Sequence, residues 1–116
     1  MIVSTVRLAI ADQDKPEVLR TLRVLMGHAT ARAGCAGFWV SQDLTDPEAL
    51  TVSDRWVSRD DLDAHVRSDE YRLLLAVIDL SATPPEISFD TLNHIGGFDL
   101  VEALRIPRDV FREDPS

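Results

Sequence analysis

Within residues 54–71, four side chains could carry chemistry: Asp54, Trp56, His65 and Tyr71. Histidine changes charge near neutrality and can take a proton from a phenol or an enol. An indole can stack an aromatic molecule, and its N–H can donate to a quinone-type oxygen. Asp54 can orient His65 or accept a substrate hydroxyl, while Tyr71 faces the same side. Each residue also has a plainer explanation. Trp56 and Tyr71 serve equally well as core residues. His65 could simply hydrogen-bond Asp54 or a backbone carbonyl, and Asp54 the start of the following helix.

These four residues converge only if their elements fold in a particular way. Val52, Asp54 and Trp56 alternate with Ser53, Arg55 and Val57, the period of two that puts successive strand residues on opposite faces. Ser58 is a good N-cap, and Asp61, three residues later, can complete a capping box. Leu62, His65 and Val66 then recur at i, i+3, i+4 on one helical face. Ser68 caps a longer helix on which Tyr71, Leu74, Leu75 and Ile78 form an apolar stripe. The stretch predicts a strand, a short helix and a longer helix, with the four residues facing one space.

The rest of the chain builds a frame for that stretch. Ile2 to Ile10 alternates, with Ile2, Ser4, Val6, Leu8 and Ile10 on a core face and Arg7 on the other, where it can meet a carboxylate across the sheet. Ala11 to Lys15 reads as a polar connection. Pro16 opens a helix expected to reach about Ala33, with Val18, Leu19, Leu22, Leu25, Met26 and Ala29 inward and Gly34 ending it. Gly27 inside that helix suggests a close approach to the sheet. Cys35 to Leu44 and Ala49 to Val57 read as a hairpin across the turn Thr45–Asp46–Pro47–Glu48. The last strand is expected over Glu86 to Ile95, ended by Gly96 and Gly97. Asp99 can cap a helical turn or two bearing Leu100, Val101 and Leu104, or the segment can be a short strand or an arm on a partner. Pro107 to Ser116 reads as frayed.

Composition narrows the function. With 116 residues the chain suits one domain. It contains 20 acidic and 12 basic residues, a net charge of −8, which opposes binding to a phosphate backbone. No apolar run is long enough for a membrane-spanning helix, and the N-terminal MIVSTVRLAI resembles a strand rather than a signal peptide, so a cytoplasmic location is expected. The lone Cys35 rules out an internal disulfide and reads as an inert, small, partly buried residue. His28 and His94 have no metal-ligand spacing, and neither metal nor cofactor is expected.

The element order is strand, helix, strand, strand, helices, strand. A right-handed crossover makes the first two strands parallel, with the third hairpin-paired to the second. The predicted fold is α+β: a ferredoxin-like split βαβ with a four-stranded antiparallel sheet and helices on one face. The other face, carrying Trp39 and Val57, needs a cover, and two copies packed face to face would supply it.

The segment Asp54 to Tyr71, DRW followed by SRDDLDAHVRSDEY, resembles the signature of the antibiotic biosynthesis monooxygenase (ABM) family in the dimeric α+β barrel superfamily. The resemblance and the element order imply a domain over 1–97; residues 98–116 lie outside it and read from their own composition as a C-terminal extension, ordered to about residue 106 and flexible beyond. The resemblance also implies a homodimer with a pocket between sheet and helices in each subunit. The implied function is cofactor-independent monooxygenation of a small aromatic or quinol-type substrate by O2, with catalytic residues His65, Trp56, Asp54 and Tyr71. A non-catalytic dimeric binding or structural domain is the alternative, as is a haem-binding or haem-degrading relative. That haem branch carries an asparagine on its first strand, whereas this chain's only asparagine is Asn93 on the last.

Overall fold

The computed structural model describes the backbone of residues 1–113 and the side chains of residues 1–106. Strand β1 spans Ile2–Ala9, and a short 3-10 turn at Asp12–Asp14 leads into helix α1, Lys15–Thr30. Strands β2 (Cys35–Gln42) and β3 (Ala49–Trp56) form the hairpin. Helices α2 (Arg59–Arg67) and α3 (Tyr71–Asp79), strand β4 (Glu86–Thr91) and helix α4 (Phe98–Glu113) follow.

The strands form one antiparallel sheet in the order β2-β3-β1-β4, the arrangement expected of a split βαβ. Helices cover one face, so the alternation read in the sequence becomes burial. Val6, Leu8 and Ile10 are buried in one core with the inward stripe of α1, Val18, Leu22, Leu25 and Ala29. On β3, Leu50, Val52, Asp54 and Trp56 all point into the same layer. The open face carries Trp39, which is exposed with the Arg55 guanidinium 5.1 Å above its ring. That ring also lies across Gly37, beside a β-bulge, and its atoms leave no room there for a Cβ.

Local chemistry sets the boundaries. Ser58 accepts a hydrogen bond from the Asp61 N–H at 3.2 Å and donates its hydroxyl to the Asp61 carboxylate at 2.8 Å, so α2 starts where the capping pattern placed it. A carboxylate of Asp43 accepts from the backbone N–H of Thr45 and Asp46, closing the hairpin turn. Arg32, just past α1, grips Glu70 at 2.8 Å and so fixes the start of α3.

Several expectations are corrected. Helix α1 ends at Thr30 rather than Ala33, and no glycine adopts a positive φ. Gly34 is needed for space, because the Asp61 side chain sits where its Cβ would be. Gly27 faces open solvent with nothing within 4 Å and approaches no strand. The second strand stops at Gln42 and the third at Trp56, leaving Leu44 fully exposed. On α3 it is Val77, not Leu75, that joins Tyr71 and Leu74 in the core. Strand β4 ends at Thr91, and its Ile87 and Phe89, although on the helix-covered face, are 46% and 47% exposed because the helices stop short of this edge.

The C-terminal segment departs most. It is neither a strand nor a turn or two but a sixteen-residue helix, which continues through Pro107 where the sequence suggested fraying. Residues 114–116, also expected to fray, lie outside the described residues. The Asp99 carboxylate accepts from the Gly97 N–H at 3.0 Å, and Leu100 packs on Gly96, so the turn into α4 is built by its own residues. Phe98, Val101, Leu104 and Ile106 remain exposed along it. Among the described residues, no helix is long and apolar enough to cross a membrane.

Candidate functional site

Strand β3 and the two helices after it bring the four residues together. Asp54 and Trp56, two positions apart on one strand face, present their side chains side by side, and the indole N–H donates to the Asp54 carboxylate at 2.5 Å. The His65 ring, one turn beyond Leu62 on α2, stacks on Trp56 with ring centres 4.4 Å apart and planes 24° from parallel. Tyr71, at the start of α3, meets His65 edge-on, with ring centres 5.2 Å apart. All four are buried: Asp54 and His65 are 1% exposed, Trp56 0% and Tyr71 7%.

The polar atoms of this cluster are incompletely satisfied. His65 Nε2 lies 3.8 Å from the nearer Asp54 oxygen, too far for a hydrogen bond. Among the described residues, Asp54 Oδ1 and both ring nitrogens of His65 have no hydrogen-bond partner. Burial pushes the Asp54 carboxyl up to about 6, although the Trp56 N–H and the Ser4 hydroxyl favour its charged form. Burial, helped by the charge of Arg32, pushes His65 down to about 4, so its ring is neutral at pH 7. Burial and the Asp54 charge also raise Tyr71, which keeps its proton. The cluster is thus a neutral base beside an acid, enclosed by aromatic rings.

The cavity lies next door. A groove of about 540 Å3 runs between α2 and β4, lined by Ile2, Arg59, Leu62, Asp63, Val66, Arg67, Phe89 and Thr91. None of the four cluster residues lines it. They sit one residue layer inside: Ile2 is the register partner of Trp56, and Leu62 stands one helical turn before His65. The structure therefore revises two sequence readings. The Trp56 N–H already serves Asp54, and one face of the indole is covered by His65, so neither is free for a ligand in this conformation.

The groove residues were not singled out from sequence, although part of the signal was there. Arg59, Leu62, Asp63, Val66 and Arg67 fall at i, i+3, i+4, i+7, i+8, one face of α2. Other candidates lie elsewhere. His28 and His94 are exposed. Arg7, exposed on the open face, has Glu86 as its register partner on β4. Burial raises the Cys35 thiol, whose Sγ donates to the Gly37 carbonyl, as suits an unreactive residue. Among the described residues no three His, Cys, Asp or Glu side chains converge as a metal site would require.

Comparison with solved structures places the fold. The chain is similar to a conserved protein from Methanosarcina mazei Go1, at 22% identity over 79% of this chain and 92% of that one, with a TM-score of 0.74. It is also similar to an antibiotic biosynthesis monooxygenase, at 18% identity over 81% and 100% of the two chains with a TM-score of 0.72. Rv0793 from Mycobacterium tuberculosis gives 18% identity, 83% and 98% coverage, and a TM-score of 0.72. Comparison with curated proteins finds no match. The family model for antibiotic biosynthesis monooxygenase matches residues 1–76, from β1 through the strand and helices that carry all four cluster residues, and the chain belongs to that family.

Proposed function

We propose that the protein oxidises a small aromatic or quinol-type substrate with O2, the substrate lying in the α2–β4 groove and His65 acting as the base. The observation that carries this reading is the neutral, buried His65 ring with both nitrogens unpartnered among the described residues, one layer behind a largely apolar groove. A buried nitrogen left unsatisfied costs stability, and a proton taken from a substrate hydroxyl would satisfy it. The anion left behind is electron-rich enough to react with O2 in a site that excludes water. For a phenol, one oxygen atom enters the ring and the other leaves as water, giving a quinone without an external reductant. Asp54, 3.8 Å from Nε2, would stabilise the imidazolium that forms, and Trp56 and Tyr71 would hold the ring in place. For this transfer the Leu62 side chain must move aside and join groove to cluster.

Oxygen uptake with a panel of quinols and polyphenols is the test. Turnover that falls at least about a hundredfold in His65→Gln supports the base role, and unchanged turnover rejects it. A second reading, a non-catalytic ligand-binding domain, is favoured by the complete burial of the cluster. Ligand binding in the groove without oxygen uptake would select it. We further propose that two copies pair through the open sheet face at Trp39. Light scattering on Trp39→Asp is expected to show monomer where the parent chain shows dimer.

A further inference from the structure

The groove has an apolar interior and a cationic rim. Ile2, Leu62, Val66 and Phe89 supply the apolar surface, and Arg59 and Arg67 stand at the two ends of α2, about 12 Å apart along its axis. The two arginines differ in what they face. Arg59 is paired with Asp63 at 2.8 Å, the only carboxylate in the lining, so their charges offset each other. The Arg67 side chain makes no hydrogen bond or ion pair among the described residues. One unneutralised guanidinium is left at the mouth of an apolar slot, on a chain whose net charge is −8. A molecule suited to that arrangement has a flat apolar body for Phe89 and Leu62 and an anionic group for Arg67, whose planar fork meets a carboxylate through two N–H donors.

We propose that the α2–β4 groove selects anionic aromatic ligands, aromatic carboxylates first, with Arg67 as the residue that reads the charge. This rests on the reading that the groove is the ligand site. It narrows that reading from small aromatics in general to those bearing a negative group. Arg67 also stands in the last turn of α2, where a cation favours the helix dipole. A purely structural role would leave ligand preference untouched, so the two roles separate experimentally.

Isothermal titration of the intact protein with naphthoate and with its neutral counterpart, naphthalenemethanol, makes the comparison at fixed low salt. The acid is expected to bind about tenfold more tightly than the alcohol, the gain of a charge-assisted hydrogen bond. Arg67→Gln should bring the two to parity without weakening the alcohol, and Arg67→Lys should retain part of the preference. Both positions are exposed, so Phe89→Ala and the Arg67 variants should stay folded by circular dichroism, and Phe89→Ala should weaken both compounds alike. Equal binding of acid and alcohol by the parent protein, or a preference that survives Arg67→Gln, overturns charge selection while leaving the groove as the site. Binding that ignores Phe89→Ala removes the groove itself, and binding of neither compound rejects the proposal.

Discussion

Helix α2 divides two regions of opposite character. On its inner side His65 joins Asp54, Trp56 and Tyr71 in a cluster sealed from solvent, polar atoms included. On its outer side Arg59, Val66 and Arg67 line a groove open to water. The cluster has the proton chemistry without the space, and the groove has the space without a base. Leu62, whose side chain is buried yet lines the groove, belongs to both. In the reaction proposed above, the base would stay dry until a substrate displaces that leucine. The cost of this arrangement is a set of buried polar atoms without hydrogen-bond partners among the described residues, and it should be measurable as a difference between the two sides of one helix.

The largest effect should come from truncating the inner side. Trp56→Ala removes the largest fully buried side chain and strips partners from both Asp54 and His65, so unfolding in urea should show a loss of about 3–5 kcal/mol. Phe89→Ala, across the groove and 47% exposed, should cost no more than about 1 kcal/mol in the same assay. Similar losses would mean that cluster and groove form one packed unit, and the contrast would fail.

Next in size is the response to pH. Asp54 holds its proton more tightly in the folded protein, about 6 against 3.8, so acidification from 6 to about 4 favours folding. His65 holds its proton less tightly, about 4 against 6.5, so acidification over nearly the same range favours unfolding. The two oppose each other, and the parent protein should show little change there from this pair. Asp54→Asn should expose the histidine alone, with stability falling by up to about 3 kcal/mol from pH 6.5 to 4. His65→Gln should do the reverse and gain stability as pH falls from 6 to 4. Matching pH profiles in the two variants would show that neither group is held as described.

The periphery should respond least. Gly27→Ala, in a helix interior with free space around it, is expected to stabilise by about 0.5–1 kcal/mol. Leu104→Glu on α4, 63% exposed, should leave thermal unfolding within about 0.5 kcal/mol of the parent. A larger loss would mean that α4 is covered by something other than this chain.

What was legible in the sequence follows the same division. The inner cluster could be read because its position depends on short-range periodicity. A period-two strand, the Ser58–Asp61 cap and a helical repeat suffice to aim Asp54, Trp56 and His65 at one point. The groove could not be read in the same way. Its walls come from Ile2, Phe89 and α2, and only the strand order β2-β3-β1-β4 puts the first and last strands side by side. Nor does spacing reveal that the Trp56 N–H is already engaged by Asp54, since that depends on side-chain geometry. The full length of α4 was hidden by Pro107, which lacks the N–H that a helix interior uses and so reads as a stop.

The register of β3 has a consequence for how such a protein can change. Ser4 faces Asp54, Ile2 faces Trp56, and the odd-numbered residues between them look the other way. Deleting a single residue within 51–53 would send Arg55 and Val57 inward and carry the acid and the indole to the outer face, undoing both cluster and core in one step. Losses or gains of length at 43–48, where Asp43 organises an exposed turn, leave that parity untouched. Variation in length across related sequences should therefore gather in the hairpin turn and vanish from the strand that follows it, even where the identities of the residues drift.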